Sequence, residues 1–309
     1  MICLSKNLFS FFTNFNLCFQ NKQIKISKFS NIKKNSKFIY CSLLFILISN
    51  IAFAQRINMG ARAMGIGNTS TTLGDAWAVF NNIGALAWTE ETYLLAAVDN
   101  KFTVSGLNTV AAGAVLPLWG NKTMLGSTIS RFGDNLFNEV NFGIGISHKI
   151  EKVSLGIKAN YVQFATEGLP TKTAFTFEFG GKMQFTKHLF VAAHIYNFNQ
   201  AQIANFKNET LPIVMKAAIS YRPLPTIILN FEGIKDIDYP SNFRAGAEYK
   251  PIKMLAMRAG ISLNPLVYSY GTGVEIAGFT FDYALLTHTT LLPSHHLSIA
   301  YKFRKLRKS

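Results

Sequence analysis

His296 and Ser298 lie two apart in a segment that alternates polar and apolar residues, so both side chains point to the same side of an extended strand. A histidine beside a serine can activate the hydroxyl for attack on an ester when a carboxylate orients the imidazole, which is chemistry that would deacylate a lipid. No carboxylate can be assigned to the pair from sequence, and strand histidines and serines commonly serve as polar fillers; the reading taken is non-enzymatic, with no catalytic residue. Gly65-x-Gly67 opens like a nucleotide loop, but Ser70 stands where a third glycine belongs, no strand precedes it and no lysine follows. The six histidines are scattered, and the adjacent His295 and His296 must face opposite sides of a strand, so they cannot chelate one ion. Cys3, Cys18 and Cys41 all fall in the N-terminal leader. No metal site, thiol chemistry or cofactor is expected of the mature chain.

The elements that carry these residues are strands. Residues 93–303 alternate apolar and polar side chains in segments of about ten residues, punctuated by Gly, Asn, Pro and Lys. Phe175, Phe177 and Phe179 point one way while Thr176, Glu178 and Gly180 point the other, and Leu255, Met257, Ala259 and Ile261 oppose Ala256, Arg258, Gly260 and Ser262. The pattern predicts fourteen strands, near 92–101, 107–119, 122–133, 139–150, 153–166, 173–186, 189–198, 212–223, 226–237, 241–251, 254–263, 268–278, 279–288 and 294–303, joined as sequential hairpins. About 15 residues per strand plus turn suits the 9–11 that a tilted strand needs to cross a bilayer. No mature segment offers 18 apolar residues in a row, which excludes a helical membrane protein.

Alternation fits a membrane barrel, a soluble sandwich or a lipocalin-like cup equally well, and the polar face decides among them. It is dominated by Gly, Ser, Ala, Thr and Asn, with scattered charges of both signs at Lys158, Glu178, Lys216, Arg222, Arg244, Glu248, Arg258, Glu275 and Asp282. These are expected to line a lumen. Tyr161, Phe164, Tyr221, Tyr249, Tyr268 and Tyr301 fall toward strand ends, where aromatic girdles meet the membrane surface. The fold class read from the chain is all-β: a transmembrane, antiparallel, up-and-down barrel.

Residues 31–54 read as a secretory signal. Lys33, Lys34 and Lys37 form the positive region, residues 38–51 the apolar one, and Ala52-Phe53-Ala54 the cleavage site before Gln55. Residues 1–30 read as an upstream leader or a mis-assigned start. Seven of the 31 basic residues and none of the 16 acids lie in residues 1–54, which leaves 24 against 16, a mature balance of +8. Half of that sits in the tail, residues 304–309, at Arg304, Lys305, Arg307 and Lys308, so the basic character does not point to nucleic acid.

Residues 55–91 lack clean alternation and read as loop and short helix, with Gly74-Asp75 capping one turn and Asn81-Asn82 preceding another. The stretch Gly60-Ala61-Arg62-Ala63-Met64-Gly65-Ile66-Gly67-Asn68, followed by residues 73–88 with Asp75, Trp77, Phe80, Asn81, Asn82, Gly84 and Trp88, resembles the N-terminal signature of the PorV/PorQ group of Bacteroidota outer-membrane proteins, within the FadL-like superfamily. Ile83 stands where that pattern has Pro, and Gly84-Ala85 inverts its Ala-Gly. The resemblance implies a fourteen-strand barrel in the cell outer membrane with residues 55–91 folded inward as a hatch. A lumen of that width is too large for its own side chains to fill; Trp77, Phe80 and Trp88 would plug it, and Gly65, Gly67 and Gly84 would allow close backbone approach. Leu297, Ile299, Tyr301 and Phe303 end the last strand on an aromatic, which resembles the signal read by the barrel-assembly machinery, although six residues follow where the family commonly stops. Two functions remain open. A PorV/PorQ-type barrel would serve type IX-like protein secretion or surface attachment through secretion-system partners, whereas a FadL-like barrel would transport hydrophobic small molecules. Outer-membrane lipid is a partner in both.

Overall fold

The computed structural model describes residues 58–119, 122–203, 210–237 and 239–303. The signal, its cleavage site, residues 55–57 and the basic tail lie outside them. Two short α-helices, α1 (Ala61–Gly65) and α2 (Ala78–Asn81), and a 3-10 helix (Ile83–Trp88) precede the strands. The strands are β1 (Tyr93–Asn100), β2 (Asn108–Leu118), β3 (Thr123–Gly133), β4 (Phe137–Ile150), β5 (Val153–Thr166), β6 (Lys172–Gln184), β7 (Leu189–Tyr196), β8 (Val214–Leu224), β9 (Ile227–Asp236), β10 (Asn242–Ile252), β11 (Leu255–Ser262), β12 (Val267–Ile276), β13 (Phe279–His288) and β14 (Ser294–Lys302). Every expected strand is present, its ends displaced by no more than two residues.

Each strand pairs antiparallel with its sequence neighbours, and β1 closes on β14, with Tyr93 opposite Lys302 and Asn100 opposite His295. Closure gives every strand two neighbours, so no strand is left as a free edge, which a bilayer would not tolerate. The end at which β1 begins and β14 stops, called the terminal end below, has tight turns. Ala277 (φ 53) and Gly278 (φ 89) form a two-residue hairpin of the left-handed kind that matches strand twist. Loops at the opposite end are longer, and the longest, residues 197–213, repairs a mismatch. β6 begins at Lys172 but pairs with β7 only from Glu178 onward. Beyond that point the Asn199 side chain stands in for the missing strand: its carbonyl accepts from Phe177 N–H at 2.9 Å and its amide donates to Phe175 O at 3.0 Å.

Alternation places the apolar residues outside. Leu94, Val110, Phe142, Ile144, Phe175, Phe179, Phe231 and Leu297 are all exposed large apolar side chains in the strands. Water would not support such an exterior on a monomer, and lipid would. Trp119, Phe185, Tyr221, Tyr249 and Phe303 are exposed at the terminal end, Trp119 by 79%. Phe164 is a correction to the expected girdle. With an unbroken register it shares the parity of buried Lys158 and Asn160, so it faces the lumen.

Candidate functional site: the lumen and its hatch

Residues 58–91 lie inside the barrel, and most of their side chains are fully buried. The first described residue is Asn58, whose amide donates to Asn68 O at 2.9 Å and whose side-chain carbonyl accepts from Lys216 Nζ on β8 at 2.5 Å. Gly60 (φ 91) lies against the Trp77 indole. From α1, Arg62 makes a two-pronged contact with Glu248 of β10, Nε to Oε2 at 2.8 Å and Nη2 to Oε1 at 2.7 Å, while Nη1 reaches Asp75 Oδ2 at 3.0 Å. Glu248 also accepts from Arg258 Nε at 2.6 Å, and Arg258 Nη1 donates to Asp282 Oδ1 at 2.7 Å. Charges from the hatch, β10, β11 and β13 thus form one buried network, and such pairs cost dearly when a partner is removed.

Gly65 backs onto Gly271 of β12. Gly67 (φ 67) is left-handed, and a Cβ there would meet the Ala245 carbonyl; its own backbone lies against Gly260. The next turn is capped by the wall: Glu232 Oε2 accepts from Ser70 N–H and Thr71 N–H, each at 2.8 Å.

Asp75 Oδ1 accepts from Trp77 N–H at 3.0 Å at the start of the α2 turn. The two asparagines that follow tie separate parts of the hatch together. Asn81 exchanges two hydrogen bonds of 2.8 Å with the Met59 backbone. Asn82 donates to Thr71 O at 2.7 Å and accepts from Gly84 N–H at 3.1 Å, capping the 3-10 helix. A Cβ on Gly84 would run into the Gly180 carbonyl, so β6 and the helix touch backbone to backbone. The Gly84 carbonyl accepts from Ser154 Oγ at 2.5 Å and Ser147 Oγ at 3.2 Å. Val79, Ile83 and Leu86 pack with Leu95, Val115 and Met124 into an apolar core inside the barrel, beside partly buried Phe80. Trp88 ends the segment with its indole N–H on Ser154 Oγ at 2.7 Å.

Alternation alone does not single out Glu232, Ser147 or Ser154 as hatch contacts, because it says which way they face and nothing of what they meet. Other lumen charges pair within the wall: Glu178 holds Asn160 at 2.8 Å and His194 at 3.0 Å, with Lys158 3.8 Å away. Leu297, Ile299, Tyr301 and Phe303 share the outer face of β14 and the residue after it. His296 and Ser298 face inward and are buried. His296 Nδ1 lies 2.9 Å from Asp99 Oδ1 across the β1–β14 pair, the carboxylate that sequence could not assign, although the two are misaligned for a hydrogen bond. Ser298 Oγ accepts from Ala61 N–H at 3.0 Å. With its hydroxyl held by the hatch and the group enclosed by the wall, the arrangement does not present a nucleophile to bilayer lipid.

The lumen is not polar throughout. Tyr196, Val214 and Ile234, on the inner face of β7, β8 and β9, form an apolar cluster toward the end with the longer loops. Val267 and Leu286 form another with Ala61 and Met64 of the hatch.

No protein-family model matches the chain, and no curated protein matches it in sequence. Solved structures do match. The Ralstonia pickettii toluene transporter TbuX aligns with a TM-score of 0.63 at 12% identity, over 81% of this chain and 100% of that one. The Pseudomonas putida toluene transporter TodX aligns at 0.58 and 11% identity, over 80% and 98%. A Pseudomonas aeruginosa FadL homologue aligns at 0.55 and 11%, again over 80% and 98%. At such identities the likeness is one of architecture, and the chain therefore has the fold of the FadL-like barrels: fourteen strands closed into a ring.

Proposed function

We propose that this protein is an outer-membrane barrel, exported by cleavage after Ala54, that passes hydrophobic small molecules through a lumen gated by residues 58–91. The observation that carries the reading is the pair of apolar clusters that line the lumen outside the main core between hatch and wall, Tyr196 with Val214 and Ile234, and Val267 with Leu286 against Met64 of the hatch. Apolar residues facing inward waste a lumen built for water or ions and suit an apolar ligand approaching the hatch. Much of the hatch is held by hydrogen bonds and ion pairs, which water can replace when it shifts. The fold likeness to toluene transporters supports the same class of cargo. Uptake of radiolabelled toluene by cells expressing the protein tests it: uptake should fall to background on deletion and fall strongly in Val214→Arg, which puts a charge in the apolar cluster. Uptake unaffected by deletion refutes the reading.

A second reading, a secretion-associated barrel of PorV/PorQ type, is supported by the residue pattern from Gly60 to Trp88. Secretion components co-purifying with the protein from outer membranes, together with wild-type toluene uptake in its absence, would favour it over transport.

A further inference from the structure

At the terminal mouth of the lumen, Lys149, Trp88, Lys182, Phe190 and Arg222 touch in sequence. Lys149 Nζ stands 4.3 Å from the Trp88 ring centroid and Lys182 Nζ 4.6 Å from it. Lys182 Nζ is also 5.3 Å from the Phe190 ring, and the Arg222 guanidinium carbon is 4.3 Å from the same ring. The two rings meet edge to face at 5.9 Å. Three cations from β4, β6 and β8 thus converge on two aromatic side chains, one of them the last residue of the 3-10 helix.

The charges do not balance. Lys149 is paired with Glu90 at 2.7 Å, and Asp75 is engaged by Arg62 at 3.0 Å. Lys182 is only 3% exposed, and among the described residues neither it nor Arg222 has a carboxylate within ion-pairing distance. Arg222 Nε is buried without a hydrogen-bond partner. Arg62 and Arg258 face three carboxylates, Asp75, Glu248 and Asp282, so one negative charge offsets part of the group and one positive charge is left over, which ring faces stabilise only in part. A bound anion would complete the group.

We infer that this mouth is a phosphate-binding site, in which Arg222 and Lys182 hold the oxygens of a phosphate monoester or of free phosphate. The unpartnered Arg222 Nε belongs to a planar fork that suits tetrahedral oxyanions, while Lys182 supplies a point charge. Arg222, partly exposed near the end of β8, offers the anion its approach. The site is independent of what crosses the lumen, and its test involves no transport.

Calorimetric titration of the full-length protein in detergent with inorganic phosphate, against chloride at matched ionic strength, reads it directly. Saturable phosphate binding is expected, weakened at least tenfold in Arg222→Gln and in Lys182→Met and by a smaller factor in Arg222→Lys, with Lys122→Ala, on another turn of the same end, unchanged. Each variant is checked for the barrel's heat-shifted gel mobility, so that lost binding is read only on folded protein. A short-chain phosphatidic acid binding more than tenfold tighter than inorganic phosphate identifies a lipid headgroup as the source, and equal or weaker binding identifies free phosphate. No saturable heat, the same heat with chloride, or wild-type affinity in folded Arg222→Gln and Lys182→Met overturns the inference.

Discussion

The first half of the hatch, residues 58–75, is tied to β8, β9 and β10 by side chains that carry charge or hydrogen bonds, Asn58 on Lys216, Arg62 on Glu248, Ser70 and Thr71 on Glu232, and rests on β12 and β13 through Met64 against Val267 and Leu286 and Gly65 against Gly271. The second half, residues 76–91, meets β3 to β6 through an apolar core and backbone contact, with Ile83 and Leu86 buried and Gly84 pressed against Gly180. The difference bears on which half can move. Polar partners can be exchanged for water at modest net cost once water reaches them, whereas each large apolar side chain pulled from its packing loses about 1.5–3 kcal/mol of burial, and the second half has more of these in one core, Val79, Ile83 and Leu86 against Met64 in the first. The first half is therefore the part suited to gating and the second the part suited to anchoring. The two can be probed separately, because Arg62 is the sole trypsin site in residues 58–100 while Trp77, Phe80 and Trp88 are chymotrypsin sites.

The largest effect is expected at the carboxylate shared by two guanidiniums. Glu248→Ala strips Arg62 and Arg258 of their common partner inside the barrel, and breaking a buried pair this way costs about 3–5 kcal/mol. Urea unfolding in lipid vesicles should show that loss, with trypsin cutting at Arg62 much faster and chymotrypsin cleavage nearly unchanged. Equal acceleration of both cuts would mean that the halves move as one body and the comparison fails. Gly84→Ala tests the other half. Its Cβ would collide with the Gly180 backbone, and overpacking of that kind costs about 1–3 kcal/mol. Here chymotrypsin cleavage should accelerate while the Arg62 site stays protected.

The contrast between the halves also separates what the chain makes legible from what it does not. The barrel could be read strand by strand because a period of two is imposed twice over, by lipid outside and by the hatch inside; Phe175, Phe177 and Phe179 against Thr176, Glu178 and Gly180 permits one register only. Phe164 misleads because an aromatic near a strand end is counted as girdle by type, while its parity puts it in the lumen. Pairings across the lumen have no such periodicity. Arg62 and Glu248 are 186 residues apart, and nothing local says that they meet. Asp99 escapes assignment to His296 for the same reason, since only closure of β1 on β14 makes them neighbours. Glu232 lies in the same alternation as Asn230, but which of them caps Ser70 follows from the path of the hatch and not from the strand.

Asn82→Ala should have an intermediate effect, because Asn82 belongs to both halves. It sits in the second and donates to Thr71 O in the first, and its loss leaves that buried carbonyl unsatisfied at about 1–3 kcal/mol. Both proteases should then cut faster, the one variant for which that result is expected. The smallest effect should come from Arg62→Lys. The ammonium keeps the charge facing Glu248 and Asp75, but it cannot reproduce the two parallel contacts on Glu248, so the change isolates the fork from the charge. A loss of about 1 kcal/mol in urea unfolding, the net worth of one hydrogen bond, is expected, with a small rise in trypsin cleavage at position 62. If Arg62→Lys proves as damaging as Glu248→Ala, the first half is held by geometry as strict as that of the second, and the division into a gate and an anchor has no physical basis.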